Sequence, residues 1–168
     1  MSAAGLLLTL VTLERLAELW LARRNTKALL ENGAHEVAPG HYPVIVMFHA
    51  VWLAGLWVLG FDASLNLFWL IIFIGLQALR IWVLMTLGRR WTTRIIIMPG
   101  VPLVTTGPYR FITHPNYLVV IGEIATLPLC LGLSWYAVLF SMANLAILAI
   151  RLRAENGALQ EIRHAYPS

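Results

Sequence analysis

The apolar run from Leu65 to Leu87 constrains the fold of this chain more than any other feature. In its 23 residues, the only formally charged side chain is that of Arg80. About 20 mostly apolar residues are enough for a helix to cross the hydrocarbon core of a bilayer. A helix also satisfies its backbone hydrogen bonds internally, which the interior of a membrane requires. The run therefore predicts a transmembrane helix.

The rest of the chain has the same apolar character. Its residues are 60% hydrophobic and 12% charged, whereas soluble domains average roughly 45–50% apolar and about 25% charged. We therefore predict an all-α integral membrane protein. Hydropathy windows place about five spans. They are Ala3 to Leu21, Pro43 to Leu59, Leu65 to Leu87, Tyr117 to Leu133, and Trp135 to Ile150, the last with a polar helical extension to about Arg163.

The first predicted span is less regular than the others. Glu14, Arg15 and Glu18 interrupt it, so a helix that lies in the membrane interface is an open alternative. The start of the chain carries neither a basic region nor a small-residue cleavage site. We therefore expect a retained helix and not a cleaved signal peptide.

Lysine and arginine are distributed unevenly between the predicted loops. Ten of the twelve lie in the segments after spans one, three and five, namely Arg23, Arg24, Lys27, Arg89, Arg90, Arg94, Arg110, Arg151, Arg153 and Arg163. The turns at 60–66 and 132–134 carry none. By the positive-inside rule, the N-terminus lies outside and the C-terminus in the cytoplasm. This topology accounts for the net charge of +4, which therefore gives no support to a nucleic-acid partner.

The segment between spans three and four changes character. Residues 91–100 are too polar and too short to span, and their Thr, Ile and Pro-Gly content indicates an extended or re-entrant connector over the cytoplasmic mouth. Gly107-Pro108 then turns the chain. Pro115 suits the first helical position of span four, with His114 as the N-cap residue. The amides of that helix start would favour an anionic group such as a carboxylate.

Several kinds of site find no support in the sequence. The single cysteine, Cys130, lies in an apolar span and excludes a disulfide or a cysteine-based metal site. The histidines, including His35, His41 and His49, lack the paired short spacings of histidine boxes, so we predict no metal. No phosphate-binding glycine loop occurs. His41 and His49 are expected to have structural roles.

Charged side chains inside or beside the spans are the best candidates for function. Arg80 lies deep in span three, where an arginine costs on the order of 2.5–3.5 kcal/mol unless a partner or a wet cavity compensates it. Either Arg80 pairs with Glu123 of span four or snorkels to the cytoplasm, or it anchors an anionic or oxygen-bearing substrate. Glu123 is likewise paired, protonated or catalytic. Arg151 and Glu155 are four residues apart on one helix face and form either a surface pair or part of a site.

Two ordered motifs resemble those of the isoprenylcysteine carboxyl methyltransferase family and its phospholipid methyltransferase relatives. The first is Gly107-Pro108-Tyr109-Arg110 followed by His114-Pro115-Asn116-Tyr117, and the second is Arg151-x-x-x-Glu155 with Leu159. The resemblance extends from about Gly75 to Leu159. Arg80 is similar to the arginine that this family places beside its methyl acceptor.

The resemblance implies a single membrane methyltransferase domain over residues 1–168. Residues 1–64 would supply N-terminal helices and residues 65–168 the catalytic core. S-adenosylmethionine would bind between the His-Pro segment and the terminal helix. Its pocket would be lined by Tyr109, His114, Pro115, Tyr117, Leu118, Arg151 and Glu155. Arg80 and Glu123 would then be the catalytic residues.

The chain also departs from the family pattern. Thr113 precedes His114 where the family usually has an arginine, Asn156 follows Glu155 where it usually has a second glutamate, and the longer tail of eukaryotic members is lacking. The pattern, including His41-Tyr42-Pro43, is more similar to a short prokaryotic branch that methylates lipophilic polyketide-type hydroxyls. We therefore expect an enzyme of a prokaryotic cytoplasmic membrane, surrounded by lipid, that methylates an alkylpyrone or alkylphenol. Carboxyl methylation of prenylcysteine is the alternative reaction, and a non-catalytic membrane scaffold is the alternative of another class.

Overall fold

The computed structural model describes residues 2–165, without the side chains of residues 41, 156 and 158–165. It contains five α-helices and one pair of short strands. In chain order the elements are α1 (Ala3–Glu31), β1 (His35–Val37), α2 (His41–Gly60), α3 (Leu67–Leu87), β2 (Ile95–Ile97), α4 (Pro115–Cys130) and α5 (Ser134–Ala165). Single turns of 3-10 helix follow α3 at Gly88–Arg90 and precede α4 at Gly107–Arg110.

Local capping chemistry sets the ends of these helices. The Ser2 side chain accepts a hydrogen bond from the Gly5 amide at 3.0 Å, and the Asn66 side chain caps α3 in the same way. These residue types satisfy amides that have no partner within the helix. Helix α4 begins at Pro115 with His114 as its N-cap residue, which confirms the prediction for this turn. The His114 side chain itself makes no capping hydrogen bond.

Three helices are long and apolar enough to cross a membrane, within the described part of the chain. They are the segments Tyr42–Gly60, Leu67–Arg90 and Ser134–Glu155. The chain is therefore a helical membrane protein, as predicted. Helix α4 is apolar but has only 16 residues. Helix α1 has 29 residues and is not among the three, so the count of five spans is not confirmed.

The main core lies between all five helices, with Phe73 as the buried member from α3. Leu8, Leu56, Ile124 and Leu127 are completely or almost completely buried there. The Tyr136 hydroxyl of α5 donates to the Trp52 carbonyl of α2 at 2.9 Å. These contacts tie the N-terminal helices to the C-terminal half of the chain.

The helix ends gather at two opposite ends of the bundle. At one end the Asn66 amide donates to the Cys130 carbonyl at 2.8 Å, and the Ser2 hydroxyl donates to the Phe61 carbonyl. At the other end the buried Asn25 side chain donates to the carbonyls of Gly88 and Trp91, at 3.1 and 2.8 Å. This second end holds the predicted basic segments, and we refer to it as the basic end.

The strand pair also lies at the basic end. Strands β1 and β2 are antiparallel, with His35 opposite Ile97 and Val37 opposite Ile95. The connector is therefore extended, which was one of the two forms predicted for it. Its partner strand was not predicted, because three residues are too few to show a periodic pattern.

The boundaries of α1 correct the sequence prediction. The helix continues ten residues past Leu21, to Glu31. The extension is polar, and its Asn25 and Thr26 side chains are buried. Hydropathy could not detect it, since its contacts are hydrogen bonds to the turn after α3.

Candidate functional site

The packing of α3 on α4 brings Arg80 and Glu123 together. These two helices share the most extensive contact between elements. Gly122 allows the close approach, because a Cβ at this position would lie 2.6 Å from the Leu76 side chain. Glu123 directly follows Gly122 on α4, and Arg80 lies one helical turn after Leu76 on α3. Both side chains are therefore close to this contact. They are only 3% and 5% exposed.

Arg80 binds two carboxylates at once. Its Nε donates to Oε1 of Glu123 at 2.8 Å, and its Nη2 donates to Oε2 of the same residue. Its Nη1 donates to both oxygens of Glu18, at 3.0 and 3.1 Å. The predicted pairing of Arg80 with Glu123 is therefore present, and α1 adds a second acidic partner.

Glu14, whose carboxylate lies 3.3 Å from Arg15, and two further side chains complete this charged network. Arg15 lies 2.9 Å from Glu18 and 3.3 Å from Glu123. Gln77 donates its Nε2 to Glu123 at 2.7 Å. Its Oε1 is buried and has no hydrogen-bond partner among the described residues. The network thus joins α1, α3 and α4 inside a mostly apolar bundle.

An open groove of about 600 Å³ runs along this network between α1 and α3. On α1 its lining includes Glu14, Ala17, Glu18 and Leu21. On α3 it includes Gln77, Ile81 and Leu84. The spacing of three to four residues on each helix places each set on one face. We call this feature the α1–α3 groove.

The predicted cofactor residues meet at the basic end of the bundle. The rings of His114 and Tyr117 stack with their centroids 5.2 Å apart and an angle of 14°. The Tyr117 hydroxyl donates to Glu155 and accepts from Nε of Arg151 at 3.0 Å. The motif at the start of α4 therefore contacts the Arg-x-x-x-Glu motif of α5. We call these four residues the α4–α5 cluster.

Tyr109 lies close to this cluster and is half-buried. Burial raises the pKa of its hydroxyl to about 12, and the negative charge of Glu155 adds to the shift. Tyr109 is therefore neutral near pH 7 and can donate a hydrogen bond. Pro115 is fully buried at the helix start, whereas Leu118 is 45% exposed. Of these two predicted cofactor residues, only Leu118 is therefore accessible to a ligand in this structure.

The start of α4 offers fewer amides than the sequence suggested. Pro115 has no N–H, and the amides of Tyr117 and Leu118 both donate to the His114 carbonyl, at 3.1 and 3.3 Å. These bonds leave only the Asn116 amide unused in the first turn. The Asn116 side chain adds a buried Oδ1 without a hydrogen-bond partner among the described residues. An acceptor here suits an amino group better than a carboxylate.

A small apolar cluster connects the groove with the α4–α5 cluster. Ala22, Val83 and Trp91 are its buried members. Leu21 and Leu84, which line the groove, pack against it, and so does Tyr109. The α1–α3 groove and the α4–α5 cluster therefore lie on either side of this small apolar cluster.

Five residues of these regions were not predicted from the sequence. Glu14, Arg15 and Glu18 were seen only as interruptions of span one, and Gln77 was not singled out. Asn116 lies inside the quoted motif but was given no role. A useful signal was present, since Glu14 and Glu18 lie on the same helix face as Ala17 and Leu21 and would point to a polar partner inside the bundle.

Comparison with known proteins places these motifs in a family. Residues 69–161, more than half of the chain, match the isoprenylcysteine carboxyl methyltransferase (ICMT) family. The uncharacterized protein YpbQ of Bacillus subtilis is 38% identical over 161 residues, covering 93% of this chain and 96% of that protein. An uncharacterized protein of Haemophilus influenzae is 26% identical over 160 residues, covering 91% of each chain. No solved structure matches.

The family match begins in α3, before Arg80, and ends in α5, after Glu155. It therefore includes both of the motifs that meet in the α4–α5 cluster. The chain belongs to the isoprenylcysteine carboxyl methyltransferase family, a family of membrane methyltransferases.

Proposed function

We propose that this protein is an integral membrane methyltransferase that uses S-adenosylmethionine to methylate the hydroxyl of a lipophilic acceptor. The observation that carries the proposal is the contact of the two family motifs through Tyr117, Arg151 and Glu155. Arg151 and Glu155 lie 34 and 38 positions after Tyr117 in the sequence, so the contact depends on the fold. A scaffold protein would need no such cluster.

The α4–α5 cluster and the neighbouring Asn116 have groups that fit each part of the methyl donor. The buried, unpartnered Oδ1 of Asn116 can accept a hydrogen bond from an amino group. Arg151 provides a cation for a carboxylate, and Glu155 an acceptor for ribose hydroxyls. The stacked rings of His114 and Tyr117 offer an aromatic surface for adenine. These residues would hold the donor from the basic end, which we propose faces the cytoplasm.

The α1–α3 groove has the properties that an apolar acceptor requires. Most of its lining is apolar, and it is open along α1 and α3 to the side of the bundle. An acceptor dissolved in lipid can therefore enter laterally, while a polar donor enters from the basic end. Positioning two reactants in a water-poor site can supply much of the rate of a displacement reaction.

When bound, S-adenosylmethionine would supply an electrophilic methyl group to the acceptor oxygen, and the electron pair of its carbon–sulfur bond would remain on sulfur. The proton of the acceptor hydroxyl must then pass to a base. Glu18 lies on the groove wall and is the carboxylate best placed to receive it. Arg80 holds Glu18 through both of its oxygens, which makes Arg80 a positioning residue in this proposal.

Direct contact between Arg80 and an acceptor anion is the competing arrangement. All three of its guanidinium nitrogens already donate to carboxylates. An acceptor anion would therefore have to displace Glu18 or Glu123, or share Arg80 with them. Glu123 is held by Arg15, Gln77 and Arg80, so we propose that it keeps Arg80 in place.

A methyl-transfer assay tests the proposed function. Purified protein in lipid nanodiscs receives methyl-labelled S-adenosylmethionine together with 4-dodecylphenol, an alkylpyrone or N-acetyl farnesylcysteine. We expect a base-stable labelled ether from a phenol or pyrone, and loss of this product in Glu155→Ala. Labelled product found only as a base-labile ester of the prenylcysteine would replace our choice of acceptor by the carboxylate. Absence of label from every acceptor would contradict the proposal.

A further inference from the structure

We propose that the α1–α3 groove binds the head group of the acceptor and selects an uncharged hydrogen-bond donor over a carboxylate. This inference rests on the proposed function, since it identifies the acceptor class of the same enzyme. It follows from three features of the groove: its charge balance, its unpartnered polar atom and its apolar length.

The charged network carries an excess of negative charge. Its members are the carboxylates of Glu14, Glu18 and Glu123 and the guanidinium groups of Arg15 and Arg80. Three negative charges against two positive charges leave a formal net charge of −1. In a medium of low dielectric constant, this excess opposes the entry of a further anion.

His49 of α2 does not change this balance when it is neutral. Its Nδ1 lies 2.8 Å from the Ile45 carbonyl of its own helix. A neutral imidazole provides the hydrogen for this bond. With a neutral imidazole, His49 adds no positive charge to the network, and the negative excess remains.

Apart from the indole N–H of the exposed Trp20, the polar groups available to a ligand in the groove are hydrogen-bond acceptors. Arg80 already directs all three nitrogens at carboxylates, and Gln77 directs its amino group at Glu123. What remains is Oε1 of Gln77, which has no partner among the described residues, and the carboxylates of Glu18 and Glu14, which line the groove and are 10% and 32% exposed. A buried acceptor without a donor is destabilising, because it has lost its hydrogen bond to water without gaining another. A ligand hydroxyl could remove this cost by a small side-chain adjustment, whereas a carboxylate could not.

The apolar part of the groove fits a chain attached to that head group. Ala17, Leu21, Ile81 and Leu84 form its walls beside the polar atoms. Leu21 and Leu84 continue into the cluster that contacts Tyr109. The volume of about 600 Å³ lies in the range of ordinary small-molecule sites. The occupant we infer is therefore a long-chain phenol, enol or alcohol in its neutral form.

Matched ligands with one chain and two head groups test this selection. The ligands are 4-(12-bromododecyl)phenol and 4-(12-bromododecyl)benzoate, at pH 7.5 in nanodiscs. Bromine quenches tryptophan fluorescence, and Trp20 lies on the groove, so the signal is the difference between wild type and Trp20→Phe. We expect the phenol to bind at least about tenfold more tightly than the carboxylate, which is about 1.4 kcal/mol. Equal binding, or tighter binding of the carboxylate, overturns the inference.

Three variants locate the selection in the groove. Ala17→Phe fills the groove without removing a charge, and should weaken phenol binding at least about tenfold. Leu16→Phe is the matched control, because Leu16 is exposed on the same helix and should leave binding unchanged. Glu14→Gln removes one negative charge and should shift the preference toward the carboxylate by at least about threefold. An Ala17→Phe protein that binds the phenol like wild type also overturns the inference.

Calorimetric binding of S-adenosylmethionine separates this inference from the proposed function. It should be the same in wild type and in all three variants, because their side chains lie outside the α4–α5 cluster. A wild type that binds the methyl donor but does not prefer the phenol refutes only the groove selection. A wild type that does not bind the methyl donor refutes the proposed function.

Discussion

Arg80 and Tyr117 each join side chains from distant parts of the sequence. Arg80 links Glu18 of α1 to Glu123 of α4, and Tyr117 links Arg151 to Glu155. A buried arginine retains its charge, and removing one partner from a buried ion pair leaves an uncompensated charge. The first group therefore stabilises the bundle, whereas the second lies at its basic end, where a polar ligand can reach it.

Variants of the α4–α5 cluster should weaken binding of the methyl donor. His114→Ala removes the aromatic partner of Tyr117, and Glu155→Ala removes a hydrogen-bond acceptor. Each should raise the dissociation constant for S-adenosylmethionine at least about tenfold, or about 1.4 kcal/mol, measured by calorimetry. Arg153→Ala is the control, because Arg153 is exposed on the same helix. Unchanged affinity in both variants, with the fold intact, would assign His114 and Glu155 structural roles.

Variants of Arg80 should separate stability from binding. Lysine keeps the charge but has no planar fork, so Arg80→Lys cannot bind Glu18 and Glu123 with the present geometry. Arg80→Ala should lower the free energy of unfolding by about 3–5 kcal/mol, and Arg80→Lys by less. Turnover should fall sharply in Arg80→Lys, with little change in affinity for the methyl donor.

Thermal unfolding, turnover and calorimetry check this prediction, with Arg24→Lys on the exposed surface of α1 as the control. Turnover per folded Arg80→Lys molecule equal to wild type would show that Arg80 has only a structural role. A change in acceptor KM without loss of stability would favour direct contact between Arg80 and the acceptor.

At the scale of elements, the turn before α4 depends on a glycine. Gly107 has a φ of +58°, and a Cβ there would lie 2.9 Å from Cγ2 of Thr86 on α3. Gly100 also has a positive φ, +73°, but nothing lies within 4 Å of its Cβ position. Both positions require a positive φ, which favours glycine. Only at Gly107 would a Cβ also collide with a neighbouring side chain, that of Thr86.

Substitution by alanine should distinguish these two effects. Gly100→Ala should cost about 1 kcal/mol of unfolding free energy from its backbone conformation alone. Gly107→Ala should cost clearly more, since it also pushes the Gly107–Arg110 turn away from α3 and shifts Tyr109. Thermal unfolding in detergent measures both. Equal losses would show that contact with Thr86 is unimportant.

The elements that could be predicted from sequence are those with long, regular signals. The apolar run around Arg80, the start of α4 at Pro115 and the helical extension of α5 all follow from hydropathy or from proline stereochemistry. Strand β1 could not be predicted, because its pairing with β2 is a tertiary contact between two three-residue segments. The end of α1 was missed for the same reason, as Asn25 is held by carbonyls 63 and 66 residues away.

The candidate site likewise contains residues that the sequence could identify and contacts that it could not. Arg80 and Glu123 could be identified because a charge inside an apolar run requires compensation. Their pairing was one of two open interpretations, and only the packing of α3 on α4 distinguishes them. Glu18 was not assigned as a partner, since the charges of α1 also fit a helix at the membrane interface.

At the scale of the whole molecule, the positions of the basic residues predict an orientation. The basic end contains the turns after α1 and α3, and the turns at residues 61–66 and 131–133 lie at the other end. The positive-inside rule then places the basic end in the cytoplasm. Thr105 belongs to the connector at that end, whereas Asp62 and Ser134 lie at the opposite end, and all three are exposed.

Cysteine labelling tests this orientation. In a Cys130→Ala background, cysteines at Asp62 and Ser134 should react from outside intact cells with a membrane-impermeant reagent. A cysteine at Thr105 should react only after the membrane is opened, which also serves as the control for reactivity. Labelling of Thr105→Cys from outside would reverse the topology and remove the cytoplasmic entrance for the methyl donor.

The central claim is that this membrane protein binds S-adenosylmethionine between the start of α4 and α5. Titration of labelled S-adenosylmethionine into the purified protein in nanodiscs tests it most directly, with Glu155→Ala as the matched variant. We expect saturable binding to one site per chain and at least about tenfold weaker binding in the variant. Absence of saturable binding to folded wild-type protein would contradict the account and favour a non-catalytic membrane scaffold.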